Sequence, residues 1–223
     1  MITAIIAMES EAEILLKNAK ITAEKALLGK KTYEGEFCGK KFSLLLCGVG
    51  KANAAIGAGA GLAIYRPSAL LNFGVAGGLN ATTELCAVYS IGKSVQFDFD
   101  LTQLNGGKIG TLDEYSENYL PLSPLPSALT SEYPARALGT ADRFNDSAAD
   151  YRLLTKELCA DIRDMEGGAI VQAAKSAGVP VYAFKAISDI AGSGSTTEQY
   201  LKNRAAALKN LEKALPEIFA AID

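Results

Sequence analysis

A chain of 223 residues fits one domain, because domains cluster at roughly 100–200 residues. Its 49% apolar and 21% charged residues exclude disordered and fibrous classes, and 22 Lys plus Arg against 25 Asp plus Glu, a net charge of −3, lack the basic surplus that draws nucleic acid or anionic lipid. Histidine is absent altogether, which removes Ser-His-Asp triads, Cys-His pairs and His-built zinc or iron sites and leaves proton transfer to carboxylates, Tyr, Lys or Cys.

Residues Ile2 to Met8 form a short apolar, β-rich run followed by Glu9 to Lys17, whose early acids and late Lys suit the two ends of a helix dipole. The run has no basic start and leads straight into acids, so it reads as a first strand and not a signal peptide. Residues 32–37 and 42–47, divided by Gly39-Lys40-Lys41, predict a hairpin. After Gly48-Val49-Gly50, the Ala/Gly-rich stretch to Tyr65 predicts a close-packing helix that Pro67 ends. Ala69 to Phe73 has the continuous apolar character of a strand buried between helix layers, and Gly74, Gly77 and Gly78 are expected to make the backbone after it irregular.

Residues 86–97 predict another strand. Residues 98–134, rich in Asp, Gly, Pro, Tyr and Asn, exceed an ordinary connector and predict a lid or interface. Strand and helix signals alternate again over 135–141, 147–158, 162–165, 167–177, 181–186 and 197–221. The alternation predicts one α/β domain over 1–223, a three-layer arrangement with helices on both faces of a twisted sheet. No uncharged stretch approaches the roughly 20 apolar residues of a membrane span. Cys38, Cys47, Cys86 and Cys159 form no C-x-x-C pair and are expected to be buried, reduced thiols of a cytoplasmic protein, with no metal site.

Three acids stand where a hydrophobic strand ends, the place at which ligand crevices form in α/β sheets. Glu11 follows Ile5-Ile6-Ala7-Met8-Glu9-Ser10, Glu166 lies in Asp164-Met165-Glu166-Gly167-Gly168, and Asp189 in Ala186-Ile187-Ser188-Asp189-Ile190. Taken singly, Glu11 and Glu166 read as dipole-matched acids in a helix's first turn, and Asp189 as a cap.

Ala-Met-Glu-x-Glu, Gly-Val-Gly-Lys-Ala-Asn-Ala-Ala, Asn-Phe-Gly-Val-Ala-Gly-Gly-Leu, Asp-Met-Glu-Gly-Gly-Ala-Ile and Ala-Ile-Ser-Asp-Ile-Ala occur in this order between residues 2 and about 191. Together they resemble the purine nucleoside phosphorylase and nucleosidase superfamily, most of all its 5′-methylthioadenosine/S-adenosylhomocysteine nucleosidases. The resemblance implies a phosphorylase/hydrolase-like fold with a central mixed sheet, hydrolysis of an N-glycosidic bond without a cofactor, and a homodimer in which part of each site comes from the second copy. It assigns Asp189 as the acid that protonates purine N7, Ser188 as its support, and Glu11 as the base that orients and deprotonates the attacking water. Glu166 would accept the ribose hydroxyls, Met165 would pack on the sugar, and Phe144 would stack on the base. Met8, Val49, Val75, Ala76, Gly77, Asn145, Asp164 and Lys185 complete the implied substrate-binding set. Val75, Asp164 and Lys185 stand where such nucleosidases usually carry Ser, Glu and Arg, and Leu101 and Leu104 offer an apolar wall for a thioalkyl group. Two other readings stay open: a phosphorylase, which needs a cationic pocket for a dianion, and a nucleoside-binding protein without catalysis. Glu9 and Glu11 after the first strand disfavour phosphate and favour water as nucleophile.

Overall fold

The computed structural model describes residues 1–79, 82–144 and 147–222. Strand β1 (Ile2–Ile6) is buried along its whole length, as a run of apolar residues covered on both faces must be. Helix α1 (Glu9–Leu16) follows. Strands β2 (Lys20–Leu27), β3 (Lys30–Phe37) and β4 (Lys40–Leu46) form an antiparallel meander whose last member lies parallel to β1. Helix α2 (Lys51–Tyr65) then leads into β5 (Ala69–Gly78).

The second half supplies β6 (Val88–Gln96), α3 (Thr102–Asn105), β7 (Leu120–Pro121), α4 (Ser127–Thr130) and β8 (Ala135–Thr140). Helix α5 (Ala148–Arg152) runs on into a π-helical turn over Leu153–Glu157. Strand β9 (Ile162–Asp164), α6 (Gly167–Ala177), β10 (Val181–Ile190) and α7 (Thr196–Ala221) complete the order.

The strands make one mixed sheet in which β5 is the hub. It lies parallel to β1 on one side and to β10 on the other. Strands β10, β6, β8 and β9 continue from it, and β9 returns to pair with the end of β5, so five strands close on themselves. Along β1, Ile2, Ala4 and Ile6 pack toward α1 and α7, while Ile5 joins Leu45, Ala54 and Ala58 beneath α2. Helices therefore cover both faces, as the alternation of elements predicts. Because β1, β4, β5 and β10 run parallel, their carboxyl ends open on the same side.

Two local expectations, on the glycines and on the cysteines, are corrected. Gly74, Gly77 and Gly78 do not break the chain, for β5 continues through all three. Within the 98–134 segment Leu112, Leu120, Leu122, Leu129 and Tyr133 are buried and tie it to the body, while residues 101–108 stay exposed or half-buried. Of the four cysteines only Cys47 is buried; Cys38 and Cys159 are exposed and all four are free thiols. Among the described residues no helix is long and apolar enough to cross a membrane.

Candidate active site

A cavity of about 280 Å³ lies at the carboxyl ends of β1, β5 and β10. The alternation of the sheet and two close approaches along β5 decide which side chains reach it. A Cβ on Gly74 would stand 2.4 Å from Oε1 of Glu11, so the Glu11 carboxylate occupies the space a side chain would take. Its Oε1 accepts the Val75 backbone N–H at 2.8 Å. Three residues on, a Cβ on Gly77 would stand 2.8 Å from Oδ2 of Asp189 and 3.0 Å from Nε of Arg163, its partners across the sheet on either side. These glycines admit two carboxylates to the sheet surface.

Register on β10 slips between Ile187 and Asp189, a bulge of the kind that re-aims a side chain beside a site. The Ser188 hydroxyl lies 2.8 Å from Asp189 Oδ1 and 3.3 Å from the Ala76 carbonyl, and its one proton serves one of these acceptors at a time. Arg163 Nη2 is 3.6 Å from Asp189 Oδ2. Glu166 precedes α6, and its Oε1 accepts the Gly50 backbone N–H at 2.9 Å. The same glycine loop is tied to the segment bearing Phe144, because Asp142 Oδ1 accepts the Lys51 N–H at 2.6 Å and Asp142 N–H donates to Asp98 at 3.0 Å. Phe144 meets Tyr200 of α7 edge to face at 5.6 Å.

Met8, Glu11, Val49, Val75, Ala76, Gly77, Phe144, Asp164, Met165, Glu166, Ser188 and Asp189 all line this cavity. Asn145 lies outside the described residues. Lys185 is corrected: it is buried behind the wall and not part of it, with Nζ 2.9 Å from Asp164 Oδ2. Cross-strand partners share a face of the sheet, and Lys185 pairs with Gly74 on the side where the Glu11 carboxylate lies, so it sits beneath the carboxylates of the wall and not in it. Leu101 and Leu104 line no part of the cavity within one chain, and Leu104 is 82% exposed. Ala7, Arg143, Arg163 and Tyr200 line it without having been assigned there from sequence. Arg163 alternates with Asp164 on a three-residue strand and was within reach of a pairing argument; Tyr200 sits on a long amphipathic helix, where an aromatic residue carries no signal of its own.

The sequence from residue 2 to 220 matches the family model of the phosphorylase superfamily. The chain belongs to the phosphorylase superfamily. A Halalkalibacterium halodurans relative, 5′-methylthioadenosine/S-adenosylhomocysteine nucleosidase, is 30% identical over 94% of each chain. The solved nucleosidase of that name from Colwellia psychrerythraea, in complex with adenine, superposes with a TM-score of 0.89 at 23% identity over 100% of this chain and 96% of that one. The one from S. pneumoniae, with the transition-state inhibitor MT-ImmA, gives 0.88 at 22% over 100% and 99%. At those identities the superpositions speak for the fold.

Electrostatics set two glutamates of this cavity apart from ordinary carboxylates. Glu11 is 3% exposed; burial pushes its carboxyl up to about 7, against the pull of the Lys185 cation and of backbone N–H groups of Val75 and Met8. Burial, aided by the nearby Asp164 charge, also pushes Glu166 up to about 7. A solvated helix-dipole acid would show neither burial nor such a rise, so the simpler reading of these two glutamates is set aside. Cys47, at the end of β4, is pushed up to about 12 by burial and the Glu166 charge, which leaves it a neutral thiol.

Proposed function

We propose that the protein hydrolyses the N-glycosidic bond of 5′-methylthioadenosine and S-adenosylhomocysteine, releasing adenine and the thio-ribose. The observation that carries this reading is the placing of Glu11. Its carboxyl titrates near neutrality, the range in which a general base both exists deprotonated and accepts a proton readily. Among the described residues the cation whose charge acts on Glu11, Lys185, is already bound to Asp164, which disfavours a phosphate seated on it beside that carboxylate.

In the proposed reaction the oxygen of water attacks C1′ of the ribose while Glu11 takes its proton. The C1′–N9 bond breaks and its electron pair enters the purine, which gains a proton at N7 from Asp189 and departs as neutral adenine. Charge then remains on Asp189, where Ser188 Oγ at 2.8 Å and Arg163 at 3.6 Å receive it. Glu166 accepts the ribose hydroxyls, Met165 packs on the sugar and Phe144 covers the base. Met8, Val49, Val75, Ala76, Gly77 and Asn145 are proposed as the remaining substrate contacts, with Asp164 behind them.

The same proposal takes 1–223 as one nucleoside-hydrolysing domain and its working form as a homodimer. The outer face of α2 supports the second part. Ile56 is 49% and Ile64 58% exposed, with Val49 at 47% just before the helix, and Ala52, Ala55, Gly59 and Ala63 are exposed between them. A continuous uncharged face of this kind marks a contact surface. The exposed free thiols of Cys38 and Cys159 support a reducing, cytoplasmic setting.

Adenine release from methylthioadenosine in phosphate-free buffer, with the sugar identified, tests the reading. Free thio-ribose is expected. A phosphate requirement and a sugar 1-phosphate would make the protein a phosphorylase, and nucleoside binding without turnover would make it a binding protein.

A further inference from the structure

The ion pair of Lys185 and Asp164 is the most deeply buried one described, with both side chains 3% exposed and 2.9 Å between Nζ and Oδ2. Taking two charges out of water is costly, and a packed apolar pair of similar size would serve the scaffold as well. Its position suggests why it is present. Lys185 on β10 is the cross-strand partner of Gly74 on β5, the glycine over which the Glu11 carboxylate lies.

Asp164 carries the pair onward into the wall. Its Oδ1 accepts the Thr140 hydroxyl at 2.6 Å, and its Oδ2 accepts the Gly167 N–H at 2.8 Å. Thr140 Oγ1 in turn accepts the Gly168 N–H at 2.8 Å. One carboxylate thus joins β10, β8 and the first turn of α6, and Met165 and Glu166 are the two residues held between Asp164 and that turn.

We propose that Lys185 is a positioning residue for the nucleosidase reaction: through Asp164 it fixes the Met165–Glu166 turn, and it supplies the positive charge against which Glu11 and Glu166 carry theirs. This rests on the reading of the site as a nucleosidase. Around Glu11 stand Lys185 of β10, Asp164 of β9, Glu166 ahead of α6, the neutral Cys47 after β4, and the backbone N–H groups of Val75 and Met8. Asp189 and Arg163 face each other further along β5, at Gly77. Lys185 lowers both glutamates and Asp164 raises both. Lys185 itself stays charged: burial opposes its charge, and Asp164, Glu166 and Glu11 together outweigh burial and raise it.

The test compares the kcat/KM pH profiles of the whole protein and three variants with methylthioadenosine as substrate. Lys185→Gln keeps a donor for Asp164 and removes the charge, and its acid limb should move to higher pH by about one unit, a loss of about tenfold below the limb that narrows above it. Asp164→Asn should move the limb the opposite way, and Lys185→Arg should leave it in place. Carboxyl ¹³C titrations of Glu11 and Glu166 in the same proteins should shift with the same signs and need no turnover. An inactive parent enzyme would overturn the nucleosidase reading while those titrations still decide this one. Limbs and titrations that coincide with the parent's, or a loss equal at every pH, would overturn the role given to Lys185. If one variant does not fold, the sign of the other's shift decides.

Discussion

In the proposed reaction Asp189 and Glu11 make opposite demands on protons. Asp189 has to deliver a proton, so Asp189→Asn should lower kcat by about 10²–10⁴-fold, the span of general acid catalysis, with adenine binding by calorimetry retained. Glu11 has to accept one, so kcat/KM should rise with pH through its value of about 7. The same rise has a sign for stability. Between the ordinary 4.5 and about 7 the folded chain binds more protons at Glu11 and Glu166 than the unfolded chain does. Their contribution is therefore fully present below pH 4.5 and is lost as pH climbs toward 7. Thermal melts between pH 5 and 8 should show a slope of that sign, and Glu11→Gln should flatten it. Gly74→Ala should push the Glu11 carboxylate aside, since its Cβ would fall 2.4 Å from Oε1. A displacement on the order of 1 Å costs about 10²-fold in rate, to be read as kcat with the melting temperature as control. Much of this site was legible in the sequence because Glu11, Glu166 and Asp189 each stand at or just past the carboxyl end of a strand within a run of matching neighbours. Lys185 was misplaced because spacing along a strand does not tell which side of a wall a residue occupies. Tyr200 was missed because nothing local in α7 marks it.

At the level of elements, those whose burial is one-sided or complete were legible, among them β1, α1, the β3–β4 hairpin, α2, β6, β8, α6 and α7. Strand β2 was not read, since Lys20–Leu27 is exposed or half-buried throughout and its charges hide any alternation. Strand β5 was read as ending at Phe73 because glycine ordinarily weakens a strand; the glycines that end the apolar pattern are the ones the carboxylates need. How β10 ends is likewise a matter between elements. Gln199 on α7 receives the Ile190 N–H at 3.1 Å and donates to its carbonyl at 3.2 Å, while Asn203 donates to the Ser188 carbonyl at 3.2 Å. The helix thus clips the strand segment carrying Asp189 and brings Tyr200, one residue beyond Gln199, to the cavity. Gln199→Ala should cost about 1–2 kcal/mol for the lost bonds, lowering the melting temperature by about 2–8 °C in a chain of this length. It should raise KM more than it lowers kcat, because it loosens Tyr200 while leaving the Ser188–Asp189 contact in place.

For the whole molecule, the alternation of strands and helices indicated layers but not closure, because the return of β9 to β5 is made by two residue pairs only and leaves no periodicity to read. Closure leaves β2 as an open edge of the sheet, and α2 presents a second exposed surface, with Ile56 and Ile64 on its outer side. Between Ala52 and Tyr65, α2 contains no charged residue, an unusual outer face for a chain in which 21% of residues are charged. Its inner face, by contrast, is spent on β1 and β4 through Ala54 and Ala58. A second copy of the chain would bury Ile56 and Ile64 against their own counterparts in an isologous contact, as a two-fold interface requires. Sedimentation equilibrium should accordingly give about twice the 23.4 kDa of the chain. Ile56→Glu, which places a charge at the centre of the face without touching the core, should return the mass to that of one chain. If the second copy also supplies part of the wall that Leu101 and Leu104 do not provide within one chain, the dissociated variant should lose affinity for methylthioadenosine while keeping its fold by circular dichroism. A monomeric parent protein with full activity would remove the dimer from the proposal and leave the cavity of the single chain as the complete site.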